Sequence, residues 1–303
     1  MKKGHLIILG LAILLILPAS VPAYSWDRIV AFGDSLSDNG PGDGYGIGVA
    51  TNGPVWLDYL AASMEGVELE DRALCGARSD GPLINNDTVN IGLIQQVSDY
   101  ADTLLAGADL SHTLFTIWIG GNDFLAFGPY EEVIDNAINN ISDALQDLID
   151  AGARDILVMN LPDLGLAPGV IYNPEADANA FTSASMTFNT SLSQLVCDFR
   201  GAYPKVKFYM ADTFKLLQYA VKYSESLGFT NVDGMCGLGG ALPECAGYIF
   251  FDSIHPTTVT HQYLAALAVA QIKHGPVSRE LKDALQKLNP IQPRMPFVVQ
   301  CKD

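Results

Sequence analysis

Short apolar runs along this chain alternate with longer stretches in which apolar residues recur every three or four positions. Residues 26–33, 112–121, 154–162 and 205–212 are of the first kind and predict strands, and the less apolar 67–74 suggests one more. Residues 54–64, 91–105, 131–152, 178–200 and 257–275 are of the second kind and predict helices. The 131–152 stretch has acidic residues at its start and Gly152 at its end, as the helix dipole and a helix C-terminus prefer. Strands and helices alternating along one chain imply an α/β fold, with a parallel sheet covered on both faces.

Three segments depart from this rhythm. Residues 1–23 begin with "MKK", continue through an apolar core from Leu6 to Leu17, and end in "VPA". Such a stretch reads as a signal peptide cleaved after Ala23; Pro18 and Pro22 stop it short of the roughly 20 apolar residues a spanning helix needs. The remainder, 24–303, is long enough for a single large domain with a well-covered core. Within it, 225–250 is glycine-rich and is expected to form a loop at the rim of the site, and 276–303 is expected to form an extended C-terminal tail. No repeat or low-complexity region interrupts the chain, and no other segment is apolar enough to span a membrane.

Charge and cysteines narrow the function classes. The formal charge of −17 argues against nucleic acid or an anionic membrane surface as the main partner. Of the five cysteines, Cys75, Cys197, Cys236, Cys245 and Cys301, none forms the close C-x₂-C pair of a zinc site. In an exported chain they favour disulfides, with Cys236 and Cys245 placed to close a short loop. An odd count leaves one thiol over, for which Cys75 is the candidate, and the pairing of Cys197 and Cys301 is left open.

The candidate chemistry lies where strands end. Ser35 stands in "FGDSLSDNG", directly after the first strand, which is where α/β folds place their sites. A serine hydroxyl needs a base to take its proton, and the base needs a third group to hold it. Far along the chain, "FFDSIHPT" places Asp252 three residues before His255, so one segment can supply both base and orienter. Acyl transfer also needs donors aimed at the developing oxyanion. "IWIGGNDF" offers the Asn122 amide and "ALCGARSD" the Gly76 backbone N–H. Each motif alone is ordinary turn chemistry; the four together, three of them at strand ends, are not.

These four segments resemble the SGNH, or GDSL, family of serine hydrolases across essentially the whole of 24–303. The resemblance implies a three-layer α/β/α sandwich with a mostly parallel, flavodoxin-like sheet. It implies Ser35 as nucleophile, His255 as general base and acid, and Asp252 as its orienter. The oxyanion hole would combine the Ser35 and Gly76 backbone N–H groups with the Asn122 side chain; "EDRALCGA" around Gly76 is the loosest of the matches. Asp34 is expected to be a structural hydrogen-bonding residue, and Asp38, Asn39 and Asp123 either support the site or belong to surface loops.

The function expected is that of an exported carboxylic ester hydrolase of the esterase/lipase branch. It would cleave acyl or lipid esters through an acyl-enzyme, with no metal or organic cofactor. The same machinery fits a glycan O-deacetylase or a lipid acyltransferase, and a binding module that has lost turnover is a third class. The substrate partner expected is a small-molecule or lipid ester, with no nucleic acid and no membrane span after leader cleavage.

Overall fold

The computed structural model describes residues 26–40, 50–81, 91–105, 107–237 and 245–274. The expected signal peptide over 1–23, the tail over 276–303 and Cys301 lie outside them, as do residues 238–244 of the glycine-rich loop.

In chain order the first elements are β1 (Arg28–Gly33), α1 (Trp56–Ala62), β2 (Glu68–Asp71), α2 (Leu93–Thr103), β3 (Thr113–Trp118), α3 (Gly121–Phe127) and α4 (Glu131–Ala151). There follow β4 (Asp155–Met159), α5 (Pro168–Ile171), α6 (Ala178–Ala202), β5 (Lys207–Ala211) and α7 (Thr213–Lys222). The described chain closes with β6 (Asn231–Met235), β7 (Tyr248–Phe250) and α8 (Thr258–His274). Five strands form one sheet in the order β2-β1-β3-β4-β5, every neighbouring pair parallel. This is the flavodoxin-like order, whose direction of winding switches between β1 and β3.

Strand alternation divides the core into two layers. Val30 and Phe32 of β1, Phe115 and Ile117 of β3, and Ile156 and Val158 of β4 pack on one face with α2, α4 and α6. Ile29 and Ala31, Leu114 and Trp118, and Leu157 and Met159 pack on the other with α1, α7 and α8. Helices on both faces of one parallel sheet make the expected three-layer sandwich.

The helix ends are fixed by local chemistry. Asp177 accepts from the Asn179 and Ala180 backbone N–H groups at the start of α6, and Asp212 accepts from the Lys215 N–H at the start of α7. Gly152 closes α4 at φ 113°, in the left-handed region that glycine adopts without strain.

Two helices go beyond the hydrophobic pattern. The "GGND" segment, read as a strand-to-loop turn, opens α3, and α7 occupies a stretch for which the pattern gave no element. The described part of 225–250 includes a small two-stranded sheet, β6-β7, and its flanking Cys236 and Cys245 are disulfide-bonded to each other. Cys197 is disulfide-bonded as well. Cys75 is free, as expected of the left-over thiol, and half-buried. Among the described residues no helix is long and apolar enough to cross a membrane.

The last residues of β1 and β3 lie side by side, Gly33 opposite Trp118. A Cβ on Gly33 would collide with the Trp118 carbonyl oxygen, so only glycine fits where the chain leaves the sheet for Ser35. Gly33→Ala should therefore force the two strand ends apart and cost about 1–3 kcal/mol. Urea unfolding measures this, and an unchanged midpoint would contradict so close an approach.

Candidate active site

Ser35 leaves β1 in a tight turn stitched by its neighbours. The Asp34 carbonyl accepts from the Ser37 and Asp38 N–H groups at 2.9 and 3.0 Å, and its carboxylate accepts from the Leu36 N–H at 3.0 Å. Asp34 thus has the structural role expected of it. One residue earlier, Gln96 of α2 clamps both backbone groups of Gly33: its Oε1 accepts the N–H and its Nε2 donates to the carbonyl, each at 2.9 Å. The emergence of Ser35 from the strand is fixed from both sides.

The far end of the chain comes to meet it. His255 Nε2 lies 2.7 Å from Ser35 Oγ, and His255 Nδ1 lies 2.7 Å from Asp252 Oδ2. The carboxylate favours the tautomer with the proton on Nδ1, leaving Nε2 to accept from the serine hydroxyl. The second Asp252 oxygen accepts from the Ile254 and His255 N–H groups at 2.9 and 2.8 Å, so the D-x-x-H segment folds back on its own carboxylate. Burial raises the Asp252 carboxyl, but His255 and the two backbone donors outweigh it and hold the group below the usual carboxylate value. The segment is pinned from outside by Gly169 of α5, whose N–H donates to the Ser253 carbonyl at 2.7 Å.

Asn122, in the first turn of α3, lines the same pocket as Ser35 and His255. One N–H of its amide donates to the Ala77 carbonyl at 2.8 Å, which fixes the side chain and uses one of its two amide donors. Gly76 stands just before Ala77, at φ 82°. It is not among the residues lining the pocket. Burial, reinforced by Asp38, Asp34 and Asp252, pushes the thiol of its neighbour Cys75 up to about 11. Such a thiol stays protonated at neutral pH.

Of the residues read as either support or surface loop, Asp38 and Asp123 are buried and bond the loop that carries Gly76, and Asn39 is half-buried. Asp38 is buried and accepts from the Gly40 and Cys75 N–H groups at 2.9 and 2.8 Å, tying the serine turn to the Gly76 loop. Asp123 accepts the Ser79 hydroxyl at 2.6 Å, and Asn140 of α4 donates to the same hydroxyl at 2.9 Å. The Asn39 N–H donates to Asp71 at 2.8 Å and its amide to Asp58 at 3.1 Å. Burial is the main cause that raises Asp34 and Asp71 to about 7 and Asp123 to about 6.

Two supporting residues carried no signal in the sequence reading. Gln96 looked like one polar residue of an amphipathic helix. His261, on the closing helix, is buried and accepts the Trp56 N–H on Nδ1 at 3.2 Å. Burial pushes its imidazole down to about 3, which keeps that nitrogen an acceptor.

The pocket above Ser35 is partly open to solvent. Its polar groups, including Ser35, Asn122 and His255, gather at one end, and the rest of the lining is mostly apolar, with Leu36, Leu125, Val170 and Leu217 among it.

With this geometry in hand, comparison with known proteins is informative. The model of the GDSL-like lipase/acylhydrolase family matches residues 29–268. The thermolabile hemolysin of Vibrio parahaemolyticus is 28% identical over 273 residues, covering 79% of this chain and 62% of its own length. The phosphatidylcholine-sterol acyltransferase of Aeromonas hydrophila is 27% identical over 336 residues, covering 90% of this chain and 98% of its own. A crystal structure of a lipolytic G-D-S-L family member from Veillonella parvula shares the fold, with a TM-score of 0.50 at 14% identity, over 80% of this chain and 96% of that one. A match that takes in both the serine turn and the D-x-x-H segment leaves one assignment: the chain belongs to the GDSL-like lipase/acylhydrolase family, a family of ester-bond hydrolases.

Proposed function

We propose that this protein hydrolyses carboxylic esters through an acyl-enzyme on Ser35. The observation that carries the reading is the unbroken Asp252–His255–Ser35 chain of two 2.7 Å hydrogen bonds at the floor of a pocket. In acylation, Ser35 Oγ bonds to the ester carbonyl carbon while its proton passes to His255 Nε2. Collapse of the tetrahedral adduct breaks the carbon–oxygen bond to the alcohol, which leaves with that proton. A water molecule then attacks the acyl carbon, gives its proton to His255, and releases the carboxylic acid as Ser35 recovers its own. Asp252 holds the ring and stabilises its charged form. The Ser35 N–H and the second N–H of Asn122, both residues lining the pocket, would stabilise the oxyanion; Gly76, outside that lining, is the weakest of the three expected donors.

Acyl and lipid esters are the substrates proposed. The Aeromonas relative, matched over 98% of its length, makes transfer to a second alcohol the alternative outcome of the deacylation step. Product analysis with and without an added acceptor alcohol separates the two. Residues 24–303 are proposed to act outside the cytoplasm as one hydrolase domain; the leader-like start and the Cys236–Cys245 disulfide support this.

Ser35→Ala should abolish turnover of p-nitrophenyl butyrate while leaving the unfolding transition in place. Retained turnover in a folded variant would overturn the nucleophile assignment. Asn122→Ala should lower kcat by about 10²–10³ with little change in KM, because its second N–H contributes chiefly once charge builds on the oxygen. A variant that unfolds more easily yet keeps its kcat would assign Asn122 to the Ala77 contact alone.

Asp34 gives a pH signature of the buried turn. Its folded value of about 7 lies above the ordinary 3.8, so between these values the folded state holds a proton that the unfolded state has released. The stability this group contributes is therefore present below pH 4 and lost as pH rises to 7. Asp34→Asn keeps an acceptor for the Leu36 N–H and removes the titration. Across that window the variant should gain stability relative to the parent as pH rises; parallel curves would mean that Asp34 is ionised throughout.

A further inference from the structure

Asp252 fixes the His255 ring within its own turn, and Gly169 ties that turn to α5. Something else must hold the turn at its distance from Ser35. Residues 51–58, which lead into and open α1, bond to both sides.

Towards the histidine, the Thr51 hydroxyl donates to the Pro256 carbonyl at 2.8 Å, one residue beyond His255. The Thr258 N–H donates to Asn52 Oδ1 at 2.9 Å, and the Thr258 hydroxyl donates to the Pro54 carbonyl at 2.8 Å. Towards the serine, the Trp56 indole N–H donates to Ser37 Oγ at 3.1 Å, two residues beyond Ser35. Asp58 accepts from the Asn39 amide at 3.1 Å. Trp56 faces both ways, because its backbone N–H donates to His261 on α8, the helix that follows His255. Thr51, Ser37 and Trp56 are all buried, where low polarity strengthens each bond and no water replaces one that is lost. None of the three lines the Ser35 pocket, so any effect on the reaction passes through Ser35 and His255.

We propose that Thr51 and Trp56 are positioning residues, the two ends of a strut that holds His255 Nε2 at hydrogen-bond distance from Ser35 Oγ. The proposal rests on the reading of Ser35 and His255 as nucleophile and base, and adds to it the source of their spacing. Proton transfer from Oγ to Nε2 needs that spacing, and a displacement of about 1 Å caused by a remote change can cost about 10²-fold in rate. A strut acts only while both ends hold. Losing either end should therefore cost most of what losing both does.

The test compares the parent with Thr51→Val, Thr51→Ser, Ser37→Ala and the Thr51→Val/Ser37→Ala double variant. Two readouts are followed, turnover of p-nitrophenyl butyrate and the rate of labelling by a fluorophosphonate. Thr51→Val removes the hydroxyl and keeps the shape, and Ser37→Ala removes the acceptor of the Trp56 indole. In folded protein each should lower kcat and the labelling rate by about tenfold, with KM within about twofold of the parent. Thr51→Ser keeps the hydroxyl and should stay within about threefold of the parent on both readouts. The double variant should lose little more than either single one. Variants that unfold more easily yet keep the parent's kcat and labelling rate would overturn the proposal. So would losses that multiply in the double variant, or a Thr51→Ser as slow as Thr51→Val. If Thr51→Val does not fold, Ser37→Ala decides alone. A parent labelled at a serine other than Ser35 would overturn the nucleophile reading and the strut with it. A parent labelled at Ser35, with folded variants labelled just as fast, would overturn the strut alone.

Discussion

The 2.7 Å hydrogen bond between His255 Nε2 and Ser35 Oγ joins two points 220 residues apart in the chain. Neither partner could hold that distance from a flexible loop. Ser35 is fixed because β1 is a central strand of the sheet and Gly33 is gripped by Gln96. His255 is fixed because the carboxylate that orients its ring also binds the backbone of its own turn. The switch in winding direction between β1 and β3 opens the space between these two supports. Asn122, carried on the helix after β3, faces that space from the third side.

This rigidity is bought with buried charge. Asp34, Asp38 and Asp123 are all nearly inaccessible to water, and a carboxylate in such a place is costly unless hydrogen bonds replace its hydration. Each has such bonds, most of them from backbone N–H groups of the two loops that frame Ser35. The carboxylates therefore act as connectors: Asp38 ties the serine turn to the Gly76 loop, and Asp123 ties that loop, through Ser79, to α3.

How much of this was legible in the sequence depended on how local the cause was. The five sheet strands and the longer helices were readable because their apolar spacing records which face is buried. Asp252 and His255 were readable as a pair because a three-residue separation lets one carboxylate reach both ring and backbone. Gln96 and His261 were not, since their partners Gly33 and Trp56 lie 63 and 205 residues away and only folding brings them together. The helix α7 was missed although Asp212 caps it and Leu216 and Ala220 share its buried face. Ten residues after a strand gave too short a pattern to stand out.

The central claim is that Ser35 is activated by His255 and held ready by Asp252. Its most direct measurement is the rate and position of labelling by a fluorophosphonate, which reacts with an activated serine whatever the natural ester is. Peptide mass spectrometry of the labelled protein should place one adduct on the peptide containing Ser35. Labelling of His255→Ala should be slower by orders of magnitude, with the fold intact. An adduct on another serine, or labelling of Ser35 at the parent rate in folded His255→Ala, would contradict the claim.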